Sequence, residues 1–113
     1  MSAGAGMNLS QSHVGQIAIT VSDVAKALHF YRDILGLRFL FEAGPNLAFL
    51  QSGDVRIMLS TPQGAGRAGA NSILYFHVTG IEAVHRNLLL LGASSERDPD
   101  GNIVGLMEEK KSA

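Results

Sequence analysis

Five polar side chains in three segments carry most of the chemistry available to this sequence. His77 follows Tyr75 with one residue between them, and its imidazole could act as a general base or as a single metal ligand. Arg56 could bind a carboxylate or a phosphate through two parallel hydrogen bonds. Asp98 and Asp100 have the spacing of a carboxylate pair, but the proline and glycine among them are typical of a turn. A single histidine on a strand more often makes a structural hydrogen bond. A catalytic role is therefore the less common of the two interpretations of His77.

Several other classes of function lack the residues that they need. The chain has 113 residues and no cysteine, which excludes disulfides, thiol nucleophiles and thiolate metal sites. No serine lies in a Gly-x-Ser-x-Gly turn, and the glycines at 64, 66 and 69 precede a strand instead of opening a helix, so no phosphate loop is indicated. The net charge of −1 indicates no basic surface for nucleic acid, and the apolar run 88–91 is far too short to span a membrane. We expect a cytoplasmic protein without nucleic-acid or membrane partners.

One supersecondary pattern occurs twice in the chain. Residues 16–24 and 73–81 each contain an alternating strand and a turn, and each leads into an apolar-periodic helix that ends in Leu-Gly. Val78 follows Val21 by 57 residues, and Gly92 follows Gly36 by 56. Each copy of such a unit buries the apolar face that the other would expose alone. The repeat therefore predicts one domain built from two similar modules.

The first module is predicted to contain a strand, a helix and three further strands. Ser22 and Asp23 supply a helix N-cap, and Gly36 suits the left-handed residue that ends the helix. Alternation and turn residues predict a strand at 16–21, a helix at 24–35 and strands at 37–42, 46–51 and 55–60. The predicted organisation is a flexible leader at 1–13, module one at 14–61, a linker at 62–71, module two at 72–108 and a tail at 109–113.

The second module departs from the first after its helix. It opens with a strand at 73–78 and a helix at 81–91, but only a short segment and the turn at 97–102 precede its last strand at 103–107. Module one has two more strands in the corresponding place. Either the second module lacks this hairpin, or about 20 residues between about Ser95 and Arg97 are absent from the chain. The second explanation is favoured because an unfinished sheet leaves an open edge and an open core.

These patterns together resemble the vicinal oxygen chelate superfamily, which includes glyoxalase I, bleomycin-resistance proteins and extradiol dioxygenases. The matching segments are Ile17–Asp23, Phe30–Leu37, Leu74–Val78 and Asp98–Asn102. The resemblance covers nearly all of residues 14–108. It implies an α+β fold of two βαβββ modules that form a curled mixed sheet around a cup, often in a homodimer.

The resemblance also implies where a divalent metal would lie. The four metal positions of the family fall on Gln16, Met58, Ile73 and Gly105. Glyoxalase-like members can use glutamine at the first position, so Gln16 is compatible, whereas the other three supply no suitable donor. One amide oxygen cannot replace the hydration shell of a divalent ion. We therefore expect no cofactor, and a divalent metal is the disfavoured alternative.

Strand alternation predicts independently which residues line the cup. If Ile17, Ile19 and Val21 pack under the helices, the opposite face of each strand is turned to the cup. The predicted ligand-binding residues are Gln16, Thr20, Arg56, Met58, Ser60, Tyr75, His77 and Met107. An apolar concavity with a few polar groups is typical of a small-molecule site. Each of these residues also has a structural interpretation. An arginine can be solvated at the edge of the cup, a methionine can fill the core, and a glutamine can form hydrogen bonds with backbone groups.

The predicted function is binding of a small organic molecule in the cup without a catalytic metal, as in ligand-sequestering proteins of the bleomycin-resistance type. The alternative is a metal-dependent glyoxalase-like isomerase or lyase, or a dioxygenase, with ligands from the absent segment or from a partner subunit. In a third interpretation the cup is vestigial and the protein serves assembly. Bound metal separates the second function from the first, and a ligand-dependent rise in Tm separates the first from the third.

Overall fold

The helices and strands of the computed structural model follow the predicted order. The structure describes residues 9–62, 72–93 and 97–108, so most of the predicted leader and linker, the predicted tail and Ser95 lie outside the described residues. The elements are β1 Gln16–Thr20, α1 Val24–Leu28, a π-helix His29–Ile34, β2 Arg38–Glu42, β3 Leu47–Ser52, β4 Val55–Ser60, β5 Ile73–His77, α2 Ile81–Leu90 and β6 Ile103–Met107.

The first four strands form a complete βαβββ module. Their sheet has the order β1-β4-β3-β2, in which β1 and β4 are parallel and β3 is antiparallel to both of its neighbours. Parallel pairing of the first and last strands is possible because the helical segment crosses over the sheet between them. A bulge between Phe39 and Phe41 shifts the register of β2.

The second module contains counterparts of only β1 and β4, the first and last strands of the first module. β5 and β6 pair in parallel as a separate two-stranded sheet, in the relation that β1 has to β4. No counterparts of β2 and β3 occur in the described part of this module, and the cup is therefore not closed. One antiparallel bridge joins Arg97 to Ile103, as the end of a β3-like strand would. The α+β fold with a hairpin missing from the second module is confirmed.

The core lies between the four-stranded sheet and the helical segment above it. Ile19, Val21 and Leu50 are almost fully buried, whereas Gln16 and Ala18 are exposed. The predicted inward face of β1 is thus confirmed. Leu74 and Phe76 of the second module pack against the same cluster, so both modules share one core.

The predicted helix at 24–35 is divided in the structure. Asp23 caps its start by accepting a hydrogen bond from the Lys26 amide at 3.1 Å, and Gly36 ends it with φ of 80°. After Leu28 the backbone widens into a π-helix, in which the Leu35 amide donates to the Phe30 carbonyl five residues earlier at 2.9 Å. A strict 3.6-residue period does not foresee this widening.

A buried polar network joins the two modules. The Tyr31 hydroxyl donates to Asp98 Oδ2 at 2.8 Å, and Asp98 also accepts from the Asn102 and Asp100 amides at 2.8 and 2.9 Å. Asp100 in turn accepts from the Ser22 amide at 3.0 Å. Both carboxylates therefore hold backbone groups, which agrees with the turn interpretation of 97–102. Burial, with the charge of Asp98 and the hydrogen bond to it, raises the pKa of Tyr31 far above its ordinary value.

Candidate functional site

The predicted site residues lie on the open faces of two different sheets. Gln16, Thr20, Arg56, Met58 and Ser60 belong to β1 and β4, and the register places Gln16 opposite Arg56 and Thr20 opposite Ser60. The other three, Tyr75, His77 and Met107, belong to β5 and β6, where His77 is opposite Met107. No hydrogen bond among the described residues links the first group to the second. The structure thus brings five predicted residues together on one sheet and leaves three on the other.

The side chain of Arg56 is held from two sides. Its Nε donates to Gln16 Oε1 at 2.6 Å, and its guanidinium carbon lies 4.8 Å from the centroid of the Phe49 ring. This ring is itself packed against Phe41, with centroids 4.6 Å apart. Within the described residues, the two terminal nitrogens of Arg56 have no hydrogen-bond partner. An arginine held in this way presents its remaining fork of donors to a ligand at little further loss of conformational entropy.

The register arranges the open face of the four-stranded sheet in three rows. We call them the arginine row (Arg38, Gln51, Arg56, Gln16), the apolar row (Phe41, Phe49, Met58, Ala18) and the hydroxyl row (Leu47, Ser60, Thr20). Sequence reasoning missed Arg38, Phe41 and Phe49. The alternation of β3 could have placed Phe49, but the face of Arg38 and Phe41 depends on the bulge in β2, which no local pattern marked.

The residues at the family's metal positions do not fit a divalent metal. The oxygen of Gln16 already accepts from a guanidinium, whose positive charge would repel a cation at that point. Gln16 Nε2 lies 3.8 Å from Met58 Sδ, a thioether that is a poor ligand for hard cations. The described segments also contain no group of three or more His, Cys, Asp or Glu residues that could hold a metal ion.

The open face of the second sheet is more exposed and less organised. The side chain of Tyr75 is 67% exposed, and its ring lies across Gly105, where an added Cβ would be 2.6 Å from Tyr75 Cδ1. His77 is exposed and makes no hydrogen bond to another described residue. A general base needs a group that orients its ring, so the described residues provide His77 with no such support. Its catalytic role stays a prediction.

A cavity of about 610 Å³ lies on the helical side of the second module, not in the predicted cup. It is lined mainly by apolar side chains of α2 and β6, such as Leu88, Val104 and Leu106, with Glu82 and His85 as its ionisable groups. Tyr75 is the one predicted site residue among its lining residues. The cavity borders β6, whose outer side has no β3-like neighbour among the described residues.

Comparisons with known proteins agree on the fold. The family model described as the Glyoxalase/Bleomycin resistance protein/Dioxygenase superfamily matches residues 13–102. No curated protein matches the sequence. The chain is similar in structure to TnmS3, an antibiotic binding protein from Streptomyces sp. CB03234, with 20% identity, a TM-score of 0.76 and coverage of 91% of this chain and 100% of that one.

Two further solved structures have the same architecture. Lactoylglutathione lyase from Agrobacterium tumefaciens is 24% identical, with a TM-score of 0.72 and coverage of 86% of this chain and 93% of that one. A glyoxalase/bleomycin resistance protein from Streptomyces sp. CB03234 is 19% identical, with a TM-score of 0.67 and coverage of 83% and 98%. Such identities establish the fold and leave the chemistry to the site. Neither helix found in the described residues is long and apolar enough to cross a membrane.

Proposed function

Because the chain belongs to the glyoxalase/bleomycin resistance protein/dioxygenase superfamily, we propose that it binds a small organic molecule on the open face of the four-stranded sheet, without a catalytic metal. The hydrogen bond between Arg56 and Gln16 carries the proposal. In this bond Gln16, the one side chain compatible with a metal, accepts from the Arg56 guanidinium. The other donors of Arg56 remain for a ligand. Thr20 and Met58 on the same face supply a hydroxyl and an apolar contact, whereas Ser60 beside Thr20 is buried.

The composition of this face supports binding more than catalysis. Phe41 and Phe49 form an apolar surface beside Arg56, and most small-molecule sites combine such a surface with few polar groups. One of the similar structures is that of an antibiotic binding protein, which is consistent with a ligand-holding role for this fold. The homodimer and the cytoplasmic location stay predictions.

The competing function is metal-dependent catalysis as a lyase, isomerase or dioxygenase. The similarity to a lactoylglutathione lyase is the observation that keeps it in view. It requires several oxygen or nitrogen donors beyond Gln16, and these would have to come from residues outside the described segments or from a partner subunit. A metal bound in stoichiometric amount is its necessary consequence.

The test combines a ligand screen with a metal measurement on the same preparation. The protein is purified without chelator, loaded in turn with Ni, Zn, Fe(II) and Mn, dialysed and analysed for metal, and its Tm is then recorded against a panel of neutral, anionic and cationic aromatic compounds. We expect no retained metal and a rise in Tm with at least one compound.

The matched variants are Arg56→Gln, on the open face, and Arg86→Gln, an exposed arginine of α2. Arg56→Gln should abolish the ligand-dependent rise in Tm, and Arg86→Gln should retain it. A stoichiometric metal that survives dialysis would refute the metal-free proposal and direct the work to isomerase, lyase and dioxygenase assays. A panel without any binding compound would favour a vestigial cup.

A further inference from the structure

The arginine row places two positively charged side chains on the open face. Arg38 and Arg56 are both paired with Gln51, so they lie on the same side of the sheet, separated by two strand spacings or about 10 Å. Strands β1, β3 and β4 contain no acidic residue. Glu42 of β2 pairs with Ala48, which is buried on the opposite face. On the strand positions of the open face, the positive charges therefore have no carboxylate to neutralise them.

The apolar row lies directly beside the arginine row. Phe41 remains 46% exposed although its ring packs against Phe49, so it presents a flat apolar surface to solvent. Met58 is half-buried and adjustable in shape, and it completes this surface toward β1. Aromatic rings stack favourably on such a surface in offset or tilted geometry.

The guanidinium of Arg56 is oriented for an anion. Gln16 accepts the Nε hydrogen and Phe49 lies against the guanidinium plane, so the terminal nitrogens are the donors that remain. Two parallel N–H groups fit the two oxygens of a carboxylate, and the pairing is stronger than a hydrogen bond between neutral groups. Gln16 is thus a positioning residue, while Arg56 is the group that contacts the ligand.

We propose that the ligand is an aromatic anion, whose ring lies on the apolar row and whose carboxylate or phosphate is bound by Arg56 with Arg38 as a second positive contact. This inference rests on the proposed function, because it names the class of molecule that the open face accepts. The order of the rows also sets the orientation of the ligand, with its uncharged end toward the hydroxyl of Thr20.

The test compares two probes that differ in charge and little else, 2-naphthoate and 2-naphthamide, by isothermal titration calorimetry. We expect the anion to bind about tenfold or more tightly than the amide, and this preference to decrease with added salt. Arg56→Gln should remove the preference, and Arg56→Lys should remove most of it because an ammonium cannot form the parallel pair. Arg38→Gln should reduce the preference less, and Gln16→Ala should weaken naphthoate binding and be partly rescued by Gln16→Asn.

Separate controls distinguish failure of this inference from failure of the proposed function. Arg86→Gln should bind both probes as the unmodified protein does, and Phe41→Ala should weaken both probes equally. Equal affinities for the two probes, or naphthoate binding that is unchanged in Arg56→Gln, would overturn the inference while leaving a ligand-binding function. A dimer that Phe41→Asp dissociates, with no competition from naphthoate, would assign the face to a second copy and also overturn it. Absence of binding by either probe and by the whole panel would overturn both.

Discussion

Replacement of Tyr31 by phenylalanine tests the polar network that joins the two modules. The Tyr31 side chain is fully buried, and its hydroxyl donates to Asp98 Oδ2 at 2.8 Å. Phenylalanine keeps the ring and its edge-to-face contact with Phe30, whose centroid is 5.0 Å away. The substitution therefore removes one hydrogen bond to a carboxylate that is itself 5% exposed. Such a bond contributes about 2 kcal/mol to the free energy of unfolding, so its loss should lower Tm by roughly 10 °C for a domain of this size.

The pH dependence of the same variant provides a second, independent readout. Burial and the neighbouring Asp98 raise the pKa of Tyr31 in the folded state above the ordinary value of 10.0. The phenol therefore ionises in the unfolded chain at lower pH than in the folded protein. Its contribution to stability is fully present below pH of about 10 and is lost as the pH rises further, by about 1.4 kcal/mol between pH 9 and 11. Tyr31→Phe should lack this loss.

The assay is urea unfolding followed by circular dichroism at pH 7, 9 and 11. Tyr75→Phe is the matched control, because Tyr75 is the other tyrosine of the chain and is 67% exposed. We expect the control to have the stability of the unmodified protein at pH 7. A Tyr31→Phe protein whose unfolding free energy at pH 7 is within about 0.5 kcal/mol of the unmodified protein would refute the reasoning. So would a pH slope identical to that of the Tyr75→Phe protein.

Three further substitutions test local features of the fold. Asp23→Ala removes the side-chain cap of α1 and should lower the unfolding free energy by about 1 kcal/mol; Asp23→Asn keeps the acceptor, and an equal loss in both variants would contradict the capping role. Gly105→Ala places a Cβ 2.6 Å from Tyr75 Cδ1, so its cost should fall when Tyr75 is also alanine, and additive costs in this double-mutant cycle would argue against the contact. Leu50→Ala removes a fully buried side chain and should cost about 2–5 kcal/mol in urea unfolding, whereas a loss below about 1 kcal/mol would place Leu50 outside the core.

The repeat, the element boundaries and the inward faces could be predicted because they depend on local periodicity. Ile19 and Val21 alternate with polar positions, and a strand of period two must bury one set and expose the other. The same reasoning placed Gln16, Arg56 and Met58 on one face. It also recognised that the second module has no room for a hairpin, since that conclusion needs only a comparison of segment lengths.

Other features of the site depend on contacts between distant segments and could not be read from local patterns. The position of Arg38 beside the other row members depends on the bulge in β2 and on pairing with β3, which no single strand specifies. The hydrogen bond from Arg56 to Gln16 joins residues 40 positions apart. The π-helix after Leu28 contains two consecutive buried rings, Phe30 and Tyr31. The buried hydroxyl of Tyr31 donates to Asp98 of the other module, and a local sequence pattern cannot show this contact.

The sequence by itself determined that this protein has two related modules, that one of them is shortened, and which face of each strand is apolar. These properties follow from the spacing of residues along the chain, which steric and solvation effects convert directly into local structure. Only the tertiary structure decided which residues share a row, and that Gln16 accepts a hydrogen bond from Arg56. Those outcomes depend on strand register and side-chain contact across the sheet, where a shift of one residue would turn every side chain to the other face.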